Sequence, residues 1–111
     1  MSELAEEVVE RAPGLLRVSL PEVGGSYELT CSPLLVQAVG DCDGVDFYFR
    51  AKYEEWEFET EDERGHPFPE GDPRRFVRRD YYDAAKPGSM GVELAARILR
   101  RCLAEWWGVR A

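Results

Sequence analysis

The chain has 111 residues, of which 44% are hydrophobic and 32% are charged, and its formal net charge is −8 at pH 7. A chain of this length and apolar content can bury a core of its own, so we expect a single domain over residues 1–111 and exclude a wholly disordered chain. The negative net charge opposes broad binding to DNA, RNA or anionic membrane. Because the sequence has neither a bilayer-spanning apolar run nor a signal-peptide pattern, we expect a cytoplasmic protein.

The amino-terminal segment has the pattern of an amphipathic helix. Ser2 can cap the first turn, which carries acidic residues that suit the positive end of a helix dipole. Pro13 and Gly14 are typical of a helix end. The apolar stripe between them has helical spacing: Leu4, Ala5, Val8, Val9 and Ala12. The sequence therefore predicts an N-terminal helix over residues 2–12.

Strand patterns follow this segment. Residues 15–20 and 27–31 alternate between apolar and polar side chains, with a turn over residues 21–25 between them. Residues 34–39 are compatible with a buried strand or a short helix. We interpret them as a strand, because residues 40–44 then become a loop into the next hairpin.

Three carboxylates surround Gly44 in that loop: Asp41, Asp43 and Asp46. Clustered carboxylates suit hard cations, but the full twelve-residue calcium loop with its terminal glutamate is not present. A tight hairpin loop is the favoured interpretation.

Residues 46–61 predict a hairpin together with its register. The apolar side chains fall at odd positions on the first arm and at even positions on the second, which marks a reversal of the chain. We favour a four-residue loop over residues 52–55 to a two-residue loop at Tyr53 and Glu54, because Tyr-Glu lacks the Gly or Asn of tight turns. Either loop pairs Ala51 with Trp56, Phe49 with Phe58 and Phe47 with Thr60 on one face, and Lys52 with Glu55, Arg50 with Glu57 and Tyr48 with Glu59 on the other.

Acidic residues are concentrated in and after the second arm of this hairpin. Glu55, Glu57 and Glu59 share its polar face, and further acids follow up to Glu63. A solvated face is favoured over a metal or catalytic site. These three glutamates are candidate contacts to a basic partner protein.

A polar, proline-rich connection covers residues 61–72 and contains the sole histidine, His66, as a loop residue. The next segment, residues 73–86, begins with Asp-Pro and has apolar residues at helical spacing, which predicts a helix. A strand over residues 75–82 is the alternative. The segment holds an arginine cluster with adjacent phenols, which could bind an anionic ligand or neutralise the chain's own acids: Arg74, Arg75, Arg78, Arg79, Tyr81 and Tyr82.

The last predicted element is a long helix from Gly88 or Ser89 to about Trp107. Its apolar residues cover an arc of roughly 220°, which is wider than the ~100° stripe that a surface helix needs. Either other helices of the chain or another chain should therefore pack against it. Trp107 and Leu103 are candidate partner contacts on this helix.

The chemistry-bearing residues do not form a recognisable catalytic set. Cys31, Cys42 and Cys102 are odd in number, lack metal-ligand spacing and lie in apolar patterns, which favours buried thiols. No phosphate loop, nucleophile elbow or dinucleotide fingerprint occurs in the chain. We therefore expect no catalytic residue, no metal and no cofactor.

Together these patterns predict an α+β fold. We expect an antiparallel four- to five-stranded meander with an N-terminal helix and a long C-terminal helix packed on one face. Residues 1–63 hold 16 acids against 4 bases, whereas residues 64–111 hold 6 acids against 10 bases. The leading hypothesis is a non-enzymatic protein-binding module, such as an inhibitor, a chaperone or an immunity-like protein, that binds a partner protein or forms a homodimer. The alternative is a small enzyme or ligand-binding domain that uses the arginine cluster to hold an anion.

Overall fold

The fold, taken from a computed structural model that describes residues 4–32, 35–52, 54–82 and 90–110, is an antiparallel sheet with one helix on one of its faces. Each strand pairs with the next along the chain. In the described residues the strands are β1 (Glu7–Ala12), β2 (Leu15–Leu20), β3 (Gly25–Cys31), β4 (Val36–Cys42), β5 (Val45–Lys52), β6 (Glu55–Glu61) and β7 (Val77–Tyr81). The helix is α1 (Val92–Arg110).

The predicted N-terminal helix is wrong, because residues 7–12 form β1. Ala12 pairs with Leu15, so Pro13 and Gly14 form a tight turn between β1 and β2. The Gly14 φ of 73° is what the third position of a type II turn requires, with proline favoured before it. The residues that we interpreted as a helix stop are thus a hairpin turn, and the β-branched Val8 and Val9 suit a strand. Ser2, the predicted cap, lies outside the described residues.

The predicted number of four to five strands is also wrong, because the meander has seven strands in the described residues. One additional strand is β1, and the other is β7, which replaces the predicted helix over residues 73–86. The five residues of β7 pair with Glu55 to Glu59 of β6. This pairing confirms the alternative prediction of a strand over residues 75–82. Residues 83–89, including the end of the helix predicted over residues 73–86 and the predicted start of the last helix, lie outside the described residues.

The central hairpin has the register that the sequence predicts. Its pairs run from Phe47 with Thr60 to Lys52 with Glu55. Because Lys52 and Glu55 are themselves paired, the favoured four-residue loop is wrong and the strands continue up to residues 53–54. Tyr53 lies outside the described residues.

The strand interpretation of the segment before this hairpin is confirmed, with shifted bounds. β4 begins at Val36 and continues to Cys42, so the predicted loop over residues 40–44 shrinks to Asp43 and Gly44. Both turn residues have positive φ, 51° and 77°, as in a type I′ hairpin turn. The tight-loop interpretation of the aspartates is therefore confirmed.

The core lies between α1 and one face of the sheet, which we call the inner face. Alternate residues of β2 to β6 point to this face and are buried, including Leu29, Phe49 and Phe58. From α1 the buried side chains include Leu99 and Trp106. These residues form one continuous hydrophobic cluster.

The segment before β1 also covers α1. Leu4 is buried and belongs to the same hydrophobic cluster. The carboxylate of Glu6 pairs with Arg100 of α1, with 3.3 Å between Oε2 and Nε. The wide apolar arc of the helix is thus buried in part by the sheet and in part by this segment.

The connection between β6 and β7 is anchored to the end of β6. Thr60 is fully buried, and its hydroxyl donates to the Arg74 carbonyl oxygen at 2.8 Å and accepts from the Phe76 N–H at 2.9 Å. Phe76 packs edge-on against Phe58, with 6.0 Å between the ring centroids. This anchor places the loop beside the acidic end of β6.

Candidate protein-binding face

The sheet surface opposite α1, which we call the outer face, carries the polar residues of the strands. Outer-face residues that lie directly opposite one another on neighbouring strands form rows, and each row runs across the sheet perpendicular to the strands. The middle row contains Arg17, which lies between two glutamates: its Nε is 2.7 Å from Glu28 and its Nη1 is 2.8 Å from Glu10. In the next row the Nε of Arg79 lies 3.2 Å from Glu57. Opposite charges therefore neutralise each other over much of this face.

The row nearest the β4–β5 turn has no such neutralisation. Asp41 on β4 is directly opposite Asp46 on β5, which is directly opposite Glu61 on β6. We call these three residues the acidic row. Within the described part of the chain, no basic side chain forms an ion pair with any of the three. Like charges directly opposite each other destabilise a sheet, so the row lowers the stability of the isolated fold.

Glu61 shows the effect of this row on ionisation. Partial burial raises the pKa of its carboxyl, and the negative charges of Glu59, Asp46 and Asp62 raise it further, against a lowering by His66. The electrostatic environment of Glu61 therefore favours a positive charge nearby.

A cavity of about 290 Å³ lies at the end of the acidic row. It is bounded by Gly44 and Asp46 on one side and by Glu61 and the following loop on the other. Phe68 contributes an aromatic wall, and the guanidinium of Arg74 stacks over its ring at 4.5 Å from the centroid. The acidic row thus ends in a concave, mixed polar and aromatic surface.

An exposed apolar residue lies beside the acidic row on the outer face. Val39 is two residues from Asp41 on β4, and its side chain is 53% exposed. It pairs with Tyr48 of β5, whose hydroxyl donates to Gln37 Oε1 at 3.3 Å. An apolar contact and a row of carboxylates therefore share one surface.

The structure does not bring the predicted arginine cluster together. Arg78 and Arg79 are adjacent in β7 and point to opposite faces of the sheet: Arg78 pairs with Glu105 of α1 at 2.9 Å, and Arg79 pairs with Glu57. Arg74 forms two hydrogen bonds with the Asp72 carboxylate, at 3.0 and 2.8 Å. Arg75 donates to the Phe68 carbonyl oxygen at 3.1 Å. Each arginine of the cluster thus binds a group of the chain itself.

The two phenols of the anion-binding hypothesis also separate. Tyr81 is 76% exposed at the edge strand β7, whereas Tyr82 is half-buried against the core. Burial raises the pKa of the Tyr82 phenol, which therefore keeps its proton at neutral pH.

The predicted partner contacts fall at different depths. Glu55, Glu57 and Glu59 lie on the outer face of β6, as the hairpin register predicts. Leu103 is 1% exposed and belongs to the core cluster, so it is not part of the surface. Trp107 is half-buried and packs against the same cluster.

Burial makes the thiols of Cys31 and Cys102 poor nucleophiles. Cys42 and Cys102 are buried and Cys31 is half-buried, which largely confirms the sequence interpretation, and all three are free thiols. Burial, followed by the charge of Glu105, raises the pKa of Cys102 to about 12, and burial also raises the pKa of Cys31. Neither thiol is therefore activated as a thiolate.

The residues that the structure describes contain neither a group of metal-binding side chains nor a membrane-spanning helix. No three of their His, Cys, Asp and Glu side chains are grouped so that they could hold a metal ion. No helix among them has the length and apolar character that crossing a membrane requires.

The acidic row was not predicted from the sequence, although Asp41 and Asp46 are among the three carboxylates noted around Gly44. The signal was present in the Asp-Gly pair at residues 43–44. A two-residue turn there pairs Asp41 with Asp46, and the predicted hairpin register then pairs Asp46 with Glu61.

Comparison of the chain with protein-family models, with curated proteins and with solved structures gives no match.

Proposed function

We propose that this chain is a non-enzymatic protein-binding module whose outer face binds a basic protein. The observation that carries the proposal is the acidic row, in which Asp41, Asp46 and Glu61 lie side by side in register. A partner that supplies positive charge would relieve the repulsion within the row. Binding would then recover free energy that the isolated fold lacks.

The rest of the outer face supports a specific role for this row. Glutamates elsewhere on the face are held by arginines, as Glu10 and Glu28 are by Arg17. Rows of like charge that lower stability without compensation within the fold are typical of functional surfaces. The net charge of −8 adds a long-range field that would speed the encounter with a basic partner.

The proposed partner is a different protein. A second copy of the chain has the same net charge of −8, so its field opposes association through this face. The contacts of the arginine cluster favour internal neutralisation, and we propose no anion-binding function. An intracellular inhibitor, chaperone or immunity-like protein remains the class of protein that fits this proposal.

The proposal predicts that binding to a basic probe depends on the acidic row. We expect a fluorescent oligo-arginine peptide to bind at low salt and to dissociate as the salt concentration rises. The row-neutral variant, Asp41→Asn/Asp46→Asn/Glu61→Gln, should bind about tenfold more weakly, because three exposed ion pairs together contribute about 1.4 kcal/mol. Fluorescence anisotropy measures both effects.

A second triple variant provides the control for net charge. Glu54→Gln/Asp80→Asn/Glu93→Gln removes the same charge at exposed positions outside the row and outside the loop beside it. It should bind nearly as tightly as the parent chain. Equal weakening by the two variants would mean that only net charge matters, and would contradict a binding site at the row.

A further inference from the structure

We infer that residues 4–12 form a strap that opens as a unit, with β1 leaving β2 and Leu4 leaving the hydrophobic cluster, while β2 to β7 and α1 stay folded. The opening is independent of the proposed function, which concerns the outer face of β4 to β6. Three features support it: the exposure of β1, the few contacts that hold the strap, and a buried hydroxyl beside it.

β1 contributes little to the core. All six of its residues are exposed, and Val8 and Val9 are exposed by 57% and 66%. In β2, by contrast, Leu16, Val18 and Leu20 are buried. Among the described residues, no strand pairs with the other side of β1. Segments with few buried apolar contacts are those that open locally, so β1 can separate from β2 while the core stays packed.

The pairing of β1 with β2 is also interrupted. The register shifts between Val8 and Glu10, so Val9 has no partner residue on β2. Such a bulge leaves its extra residue unpaired and disrupts the ladder locally. Fewer backbone hydrogen bonds therefore have to break when the strap opens.

Few other contacts hold the strap. Leu4, which is 5% exposed, is the buried anchor. The Ala5 N–H donates to the Glu22 carboxylate at 3.0 Å. Arg11 Nη2 lies 3.9 Å from Glu93 Oε1 of α1, but both side chains are largely exposed, and such pairs contribute little to stability. Leu4 is therefore the main apolar contact that opening would break.

The remaining contact, the ion pair between Glu6 and Arg100, lies near the phenol of Tyr27. Val8 of β1 pairs with Val18, which pairs with Tyr27, so the ring lies two strands from the strap on the inner face. Burial raises the pKa of this phenol, the charge of Glu6 raises it further, and the charge of Arg100 lowers it. Both charges of the ion pair therefore act on the hydroxyl.

This phenol is a buried donor without an acceptor. Tyr27 is 3% exposed, and its hydroxyl has no hydrogen-bond partner among the described residues. A buried hydroxyl without a partner is unfavourable relative to one in water. When Glu6 leaves with the strap, water would reach the hydroxyl. The closed form thus carries an unfavourable contribution that the open form relieves, which makes opening easier.

Native-state hydrogen exchange, measured by NMR on the full chain, tests the strap. Relative to their intrinsic rates, the β1 amides that bond to β2 should exchange about tenfold faster than the paired amides of β4. They should also depend less on urea, because opening exposes less surface than global unfolding. Exchange of β1 and β4 at the same rate and with the same urea dependence would overturn the inference.

Two substitutions separate the strap from global unfolding. Leu4→Ala should accelerate exchange in β1 by about tenfold, because it removes the buried anchor. Phe76→Leu, at the β7 end of the sheet, should accelerate exchange in β4 by about tenfold and leave β1 unchanged, since the closed and open forms lose the same contact. Equal acceleration of β1 and β4 by Phe76→Leu would mean that β1 exchanges only through global unfolding, and the strap would be wrong.

Tyr27→Phe tests the role of the hydroxyl. It keeps the ring, which meets Phe47 edge-on, and removes the donor that has no partner. We expect exchange in β1 to slow by about threefold, because opening would no longer hydrate a buried hydroxyl. Unchanged or faster exchange would show that the hydroxyl does not favour opening, and would overturn this part of the proposal.

Discussion

The carboxylate of Glu61 is ionised in an unfavourable environment. Partial burial and three neighbouring acids raise its pKa in the folded chain. Because the folded-state pKa lies above the unfolded-state value, its contribution to stability is present at low pH and is lost as the pH rises through the folded-state pKa. Glu61→Gln should therefore raise the free energy of unfolding at pH 7 by roughly 0.2–0.5 kcal/mol, because solvent screens a partly exposed carboxylate, and by less at acidic pH. Urea unfolding at the two pH values measures the difference.

Asp72 provides a control, because its pKa is shifted in the opposite direction from the pKa of Glu61. Hydrogen bonds from the Arg74 side chain and backbone lower the pKa of Asp72 to about 2. Its contribution to stability is therefore present above the unfolded-state pKa and is lost as the pH falls through the folded-state pKa. Asp72→Asn should destabilise the chain at pH 7 and less so as the carboxylate protonates. A loss of stability in Glu61→Gln at pH 7 would contradict the account of the acidic row.

At the scale of single elements, β4 depends on a glycine that faces aromatic neighbours. Gly40 pairs with Tyr27 on one side and Phe47 on the other, and these two rings meet edge-on with 6.3 Å between centroids. A Cβ at Gly40 would lie 2.5 Å from the Cβ of Tyr27, so the strand backbone would have to shift. We expect Gly40→Ala to lower the free energy of unfolding by about 1–3 kcal/mol.

Gly108→Ala is the matched control. Gly108 lies in α1, and a Cβ there would have open space around it. Alanine should stabilise the helix by about 0.5–1 kcal/mol through its higher helix propensity. Thermal unfolding of both variants measures the contrast. Equal effects of the two substitutions would mean that the close approach at Gly40 is not required.

The sequence predicts an element correctly where its residue pattern fits only one secondary structure and one register. In the hairpin of β5 and β6, the change of parity and the pairing of charged residues both require the same register, which the structure has. In β1 and β7 the short patterns fit two periodicities, and tertiary pairing decided between them. Pro13-Gly14 ends a helix or makes a tight turn equally well, and the antiparallel partner β2 selects the turn.

The candidate site was partly predictable for the same reason. Glu55, Glu57 and Glu59 were placed on one face by the hairpin register. Asp41 required the register of a second hairpin, which its Asp-Gly turn encodes. The contacts of the arginines were not predictable, because Glu105 and Arg78 are 27 residues apart in sequence and meet only in the folded chain.

At the scale of the whole molecule, folding pairs carboxylates of the acidic amino half of the chain with arginines of the basic carboxyl half. The acidic amino half and the basic carboxyl half are joined through β6 and β7, where Arg79 pairs with Glu57. Arg100 of α1 likewise pairs with Glu6. The acidic row is a place where the carboxylates of the amino half keep no basic partner among the described residues.

The most direct test is a map of where a basic peptide binds. Amide chemical shifts of the chain would be recorded by NMR as the oligo-arginine peptide is added at low salt. The account predicts that the largest changes occur at the outer-face positions of β4, β5 and β6 around Asp41, Asp46 and Glu61, and that they vanish at high salt. The largest changes at α1 or at the exposed edge strand β1, or no changes at all, would contradict it.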